Sequence, residues 1–495
     1  MLDYLEFISK EKSMLISPAG YGKTHTIAEC LKYTQNQGKQ LILTHTHAGV
    51  ASIKEKIKKE GIPNSSYHVE TITSFAQKYV LSFYTGTYIH SQEDSKNYYP
   101  FILEKAIELF KLKPVRRIVL VSYKGLFVDE YQDCTIKQHE LIKLLSGLFP
   151  THILGDFLQG IFGFNGEQLV DMENATEMGQ FAETKYDLDT PQRWINGNNV
   201  LLGDDLKNIR ERLINKEEVD LTRYPSIELN LINEIDLYNP QKDYHKKVMN
   251  LLKGKSLLII HPDTTSINPR VKIIQTFHNG FNLVESIDDK DFYNLSKEAD
   301  LITKENLILK LTILCFRLFN KSVVGNWFND KGFKRKTKEK DKNLLQPIEN
   351  KVKMLEKDIS FSLVSEVLND IKNLPDMKCY RRELFNSFCK ALEEAEYSHI
   401  SVMYAMVNHR NLIRRIGRKI LGRCIGTTLL TKGLEFDTVA ILNAHKFDCP
   451  KHLYVAMTRA SKRLIIFTAD TILKPYNTNT MKTKRAANIM SELFL

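Results

Sequence analysis

Ser17-Pro18-Ala19-Gly20-Tyr21-Gly22-Lys23-Thr24 combines the residue types that hold a polyphosphate. Gly20 and Gly22 let the backbone curl until its N–H groups face an anion, and a helix opening at His25 adds partial positive charge. Lys23 would then reach the β- and γ-phosphates, and the Thr24 hydroxyl would ligate Mg²⁺. Tyr21 and His25 complete the candidate nucleotide-binding run. Further along, Asp129-Glu130-Tyr131-Gln132-Asp133 follows the apolar run Leu126–Val128. A carboxylate at a strand tip beside a phosphate loop holds Mg²⁺, which points to Asp129. Glu130 is placed to orient an attacking water or take its proton. Separately each run has a bland reading, a strand–helix turn that happens to contain GKT and a solvated acidic loop. Together they point to phosphoryl transfer.

These residues need a scaffold that brings strand ends together. Met14–Ile16, Leu41–Leu43, Leu126–Val128 and His152–Leu154 are strand-like runs, each ending in a polar turn. Leu257–Ile260, Val439–Leu442 and Leu464–Phe467 form a second set. Buried parallel strands read this way and place ligands at their carboxyl ends. The expected fold class is α/β with two parallel-sheet domains. The expected division is 1–180 for the first, with a small insertion at about 80–115, and 181–285 plus 420–495 for the second. Residues 286–419 are expected to be a mainly helical insertion in the second domain.

The chain has 495 residues, a net charge of +11 and a hydrophobic fraction of 43%, which excludes general disorder and favours a polyanionic partner. Its most apolar window, Leu307–Phe319, is broken by Lys310 and Arg317, so no membrane span is expected. The seven cysteines contain no CxxC, arguing against a zinc site or disulfide framework. The default expectation is a reduced, cytoplasmic setting.

The motif order resembles superfamily 1A helicases of the UvrD, Rep and PcrA type. DEYQD resembles their DExQD box, and Gly155 to Phe164 (GDFLQGIFGF) their GDxxQxIYxF segment. Leu188 to Arg193 (LDTPQR) resembles the motif with a terminal arginine, Thr427 to Phe436 (TTLLTKGLEF) the KGLEF motif, and Leu453 to Ala460 (LYVAMTRA) the YVAxTRA motif. The resemblance implies two RecA-like domains with ATP and Mg²⁺ between them. It implies that Arg193 and Arg459 approach the nucleotide from the second domain, that Gln159 senses the γ-phosphate, and that Glu435, with Gly433 beside it, contacts the ribose. It also implies single-stranded DNA tracking with 3′-to-5′ polarity. Thr44, His45, Thr46 and Thr71 would hold strand phosphates, and Phe162 and Phe164 would stack on bases.

Several positions depart from the family pattern. No glutamine precedes Gln35, Gln192 stands where a tyrosine stacks on adenine, and Trp194 is the candidate substitute. Leu429 replaces the fifth motif's histidine, Asn165 replaces an arginine, and His45 replaces a phenylalanine. These changes fall on nucleic-acid contact and coupling more than on hydrolysis. The compact insertions resemble the helicase-like subunit of Gabija antiviral systems, which partners a nuclease. A rival expectation is therefore a nucleotide-gated protein that senses DNA ends and activates such a partner. Lys331 to Lys342 is a basic run, read first as a solvated loop. Arg410, Arg414, Arg415, Arg418, Lys419 and Arg423 form an acid-free stretch, with Ile413, Ile416 and Ile420 at helical spacing. It is expected to present a cationic stripe to nucleic acid, with Arg414 and Arg418 as its candidate contacts.

Overall fold

The computed structural model describes residues 2–90, 92, 94–161, 168–278, 280–286, 290–416, 420 and 422–476. Two six-stranded parallel sheets dominate it. The first contains β1 (Lys12–Ile16), β2 (Gln40–Thr44), β3 (Tyr67–Thr71), β4 (Gly125–Val128), β5 (Thr151–Gly155) and β6 (Lys185–Asp187), in the order β3-β2-β4-β5-β1-β6. The second runs Asn282–Leu283, Arg423–Gly426, Leu257–Ile260, Phe436–Ile441, Ala460–Thr468, Ile227–Leu231. The fold is α/β and RecA-like.

Side-chain alternation explains why both faces of each sheet are covered. In the first sheet, Met14, Ile16, Leu41, Leu43, Leu126 and Val128 pack on one face, while Leu15, Ile42, Phe127 and Leu154 pack on the other. The second sheet divides likewise, with Leu258, Ile260, Val439 and Ile441 opposite Leu257, Ile259, Ala440 and Leu442. β6 carries the first sheet past residue 180, so that unit is slightly longer than expected.

The segment around 80–115 does not stand apart from the first domain. Its helix Ser95–Lys111 packs on Ile72–Phe83 and adds Ile102, Ile107 and Phe110 to the same apolar core. The segment after residue 286 builds a core of its own, including Phe292, Leu314, Trp327, Leu368 and Phe388. Its described residues form helices and one hairpin, Phe328–Asn329 with Gly332–Phe333. The apolar window at 307 becomes the buried helix Leu307–Leu318 of this core. Among the described residues, no helix is long and apolar enough to cross a membrane. The helix Val402–Ile416 packs back on His47–Lys59, so the helical segment touches the first domain.

Candidate nucleotide site between the two sheets

β1 ends at Ile16 and hands the chain to the glycine loop. Gly20 and Gly22 have φ of +80° and +98°, and the helix Lys23–Thr34 begins at once. That left-handed backbone costs an L-residue about 1–2 kcal/mol. Gly20 has a second constraint, because a Cβ there would lie 2.9 Å from the Trp194 ring and 3.0 Å from Arg193 Cβ. Its carbonyl accepts from the Arg193 N–H at 2.9 Å. The loop is thus seated directly against the first residues that follow the first sheet. We expect Gly20→Ala to lower both the melting temperature and nucleotide affinity, read by thermal unfolding with and without nucleotide. Unchanged values in both would show that the loop tolerates a side chain here.

A cleft of about 510 Å³ lies at these strand ends. From the first domain it is lined by Gly20, Gly22, Lys23, Thr24, His25, Asp129, Glu130 and Gln159. From the other side come Gln192, Arg193, Lys432, Gly433, Glu435 and Arg459. Segments from both halves of the chain therefore meet around one volume.

Opposite charges in the cleft neutralise each other across short distances. Lys23 Nζ lies 2.7 Å from Glu130 Oε1 and 3.6 Å from Asp129 Oδ1. Burial would push the Lys23 ammonium down, but Glu130 and Asp129 hold it above its ordinary value. Burial pushes the Asp129 carboxyl up to about 6, against the pull of Lys23. Burial acts on Glu130 too, yet Lys23 and Lys432 hold it below the usual carboxylate range. Glu130 has a φ of +56°, a strained conformation for a side-chain-bearing residue and one characteristic of functional sites.

Arg193 pairs with Glu435 at 2.9 Å and donates to the Thr458 carbonyl. Arg459 is different. It is buried and, among the described residues, donates to neutral oxygens: Val455 O at 3.0 Å, Leu434 O at 3.2 Å and Thr458 Oγ1 at 3.2 Å. Burial, then neighbouring Arg193, push its guanidinium down to about 9, still cationic at neutral pH. A buried cation held by neutral groups beside a second cation is a site poised for an anion.

Lys432 was not singled out from sequence, although it is the lysine of the KGLEF run. Its ammonium meets the Asp133 carboxylate and the Gln159 carbonyl, and lies 3.7 Å from Glu130 Oε2. It ties the second domain to the acidic strand end of the first. Gln159 turns its amide to Asp156 Oδ2 at 3.1 Å.

Several expected contacts take other roles in this structure. Tyr21 is buried against Trp194 in an apolar cluster shared by both domains, so only its backbone can face a phosphate. Trp194 is 1% exposed and donates to the Ala460 carbonyl, which removes it as a stacking face for a base. Thr44 is fully buried. Thr71 caps the helix Ile72–Phe83 through Ser74 N at 3.0 Å, and Thr46 caps His47–Lys59 through Gly49 N at 3.0 Å. As caps, these hydroxyls accept from helix N–H groups. His45 and Thr46 line the nucleotide cleft itself. Burial and the nearby lysines push the His45 imidazole down to about 3, so it is neutral. Arg410 is also buried, 3.8 Å over the Phe292 ring and paired with Glu383, so it is no part of an outward stripe. Arg414 stands on the helix Val402–Ile416. Phe162, Phe164, Asn165 and Arg418 lie outside the described residues.

Comparison with known proteins places relatives on both halves. Residues 5–165 match the AAA domain family, and residues 381–468 match the viral superfamily 1 RNA helicase core domain. The chain is 28% identical over 149 residues to an ATP-dependent helicase/nuclease subunit from Lactococcus lactis subsp. cremoris (strain SK11), covering 29% of this chain and 12% of that protein. It is 33% identical over 95 residues to the exonuclease/helicase subunit RexA of L. lactis subsp. cremoris (strain MG1363), covering 19% and 8%. These matches therefore span only a small part of each relative. The crystal structure of Pif1 helicase from Candida albicans aligns over 98% of this chain and 99% of that one, at 12% identity and a TM-score of 0.40.

Proposed function

We propose that this chain is a superfamily 1 helicase-type, DNA-dependent NTPase that uses ATP and Mg²⁺ to track along single-stranded DNA, 3′ to 5′, a reading supported by the superfamily 1 helicase core match at residues 381–468. The observation that carries the reading is convergence. Arg193 and Arg459 line the same cleft as Lys23, although they lie on opposite sides of it. Phosphoryl transfer requires positive charge around the departing γ-phosphate, and this arrangement supplies it from both walls.

The chain's own residues then have distinct tasks. Lys23 exchanges its Glu130 partner for phosphate oxygens. Freed of that pair, Glu130 orients the attacking water and takes its proton. Arg459 and Arg193 neutralise charge on the transferred group, and Gly433 and Glu435 face the ribose. Thr24 and Asp129 present hydroxyl and carboxylate oxygens in one cleft, a donor set that suits a hard divalent cation. Mg²⁺ held there supplies charge neutralisation at the phosphates. Because both walls touch the nucleotide, hydrolysis loosens the cleft and changes the spacing of the two domains' grips on DNA.

The test is the NTPase rate with each of four nucleotides, with and without single-stranded and duplex-end DNA. ATP turnover stimulated by single-stranded DNA supports the reading, and a rate indifferent to DNA removes it. For the nucleic-acid track, reversing the charge of Arg414 and Arg418 is expected to lower DNA affinity and flatten its salt dependence. Equal binding across a salt series would exclude that helix from the track.

A second reading draws on the two bacterial relatives, which are named as helicase/nuclease or exonuclease/helicase subunits. In it the chain is a nucleotide-gated sensor of DNA ends that activates a partner nuclease, as in a Gabija-like defence complex, with little unwinding of its own. Strand displacement measured beside ATPase separates the two. Robust hydrolysis without displacement by the isolated chain favours the sensor.

A further inference from the structure

Asp156 follows β5 and is fully buried at the junction of the two domains. Oδ1 accepts from Arg210 at 2.9 Å and from Leu158 N at 3.3 Å, and Oδ2 accepts from the Gln159 amide at 3.1 Å. Its own N–H donates to Gln132 Oε1 at 2.9 Å, and the Gln132 amide donates in turn to Glu130 Oε2. Asp156 thus holds Gln159 through its carboxylate and, through its backbone N–H and Gln132, the Glu130 side chain.

Arg210 comes from the helix Val200–Ile214, beyond the first sheet, and is the ion-pair partner of Asp156 among the described residues. Its guanidinium lies 5.7 Å from the Phe157 ring centroid. It does not line the cleft. A carboxylate buried this completely is costly without a cation beside it. Without Arg210, the Asp156 side chain loses the group that holds Oδ1 and turns toward another donor. That movement displaces the acceptor of the Gln159 amide and shifts the turn whose N–H holds Gln132.

We propose that Arg210 is a positioning residue for nucleotide hydrolysis, setting the orientation of Gln159 and Glu130 from the opposite domain by fixing Asp156 in place. The proposal rests on the NTPase reading above and adds a residue that none of the matched motifs contains.

The experiment compares wild type, R210M, R210K, D156N and D156N/R210M for kcat, KM and thermal stability. R210M should lose roughly ten- to a hundredfold in kcat with little change in KM for nucleotide, the scale of a misplaced catalytic group. R210K should recover part of the loss. D156N/R210M should be no slower than D156N, because a neutral Asn no longer needs the cation. Should R210M fail to fold, R210K and D156N carry the same kcat-against-KM comparison. A kcat in R210M or R210K equal to wild type, with only the melting temperature lowered, assigns Arg210 a structural role and overturns the proposal. Additive losses in the double variant overturn it as well. If wild type itself shows no turnover, the NTPase reading fails first.

Discussion

Glu130→Gln stalls hydrolysis by roughly 10²- to 10⁴-fold while nucleotide stays bound. The geometry explains why the two effects separate. In the described state Glu130 is the partner of Lys23 at 2.7 Å, and it also faces Lys432 at 3.7 Å. A neutral glutamine frees the Lys23 ammonium toward phosphate while Lys432 stays on Asp133, so affinity is preserved or improved. Turnover still falls, because a carboxamide cannot take the proton of an attacking water. Lys23→Ala gives the opposite pattern, since it removes the ammonium that grips the phosphates and leaves Asp129 and Glu130 facing each other without it. It loses binding and turnover together. Equilibrium binding of a fluorescent nucleotide beside steady-state hydrolysis distinguishes the patterns. A Glu130→Gln variant that turns over normally would show that another group handles the water.

Arg459→Ala is expected to lower kcat by roughly 10³-fold or more, the range for removing an arginine that stabilises transferred phosphoryl charge. The guanidinium already sits in the cleft, fixed by three neutral oxygens, so it is oriented before nucleotide arrives. Lysine should not rescue it. An ammonium cannot reach the Val455 and Leu434 carbonyls and the Thr458 hydroxyl with the geometry of a planar fork. Because Arg459 is buried, its removal also leaves a cavity, and a thermal melt of the variant separates that loss from the kinetic one. A variant that is less stable but hydrolyses at the normal rate would remove Arg459 from the chemistry.

Much of this site was legible because strand-end chemistry is a local property. A glycine loop after Met14–Ile16 and carboxylates after Leu126–Val128 need only a parallel sheet to bring them to one edge. Lys432 was hidden for a different reason. The resemblance assigns the ribose contact to its neighbour Glu435 and gives the lysine no role, and a lysine in a loop does not reveal which carboxylate it will meet. Arg210 gave no signal at all, since one arginine on an amphipathic helix reads as solvated. Arg410 misled in the reverse direction. Its position among other cations suggested an outward stripe, but Glu383 and the Phe292 ring draw it into the helical core. Trp194 misled because it is an amphipathic aromatic whose apolar area found a partner in the packing between domains before any base could claim it.

The amino-acid order by itself determined the two parallel sheets, the glycine loop and the acidic strand end, because period-two alternation and φ preferences act between near neighbours. The tertiary structure decided the pairing of charges: Lys23 with Glu130, Lys432 with Asp133, Arg210 with Asp156, and Arg459 with no carboxylate among the described residues. Those outcomes depend on groups far apart in the chain and on the loss of water where they meet. Burial sets which ions must pair, and only the folded chain sets which can reach each other.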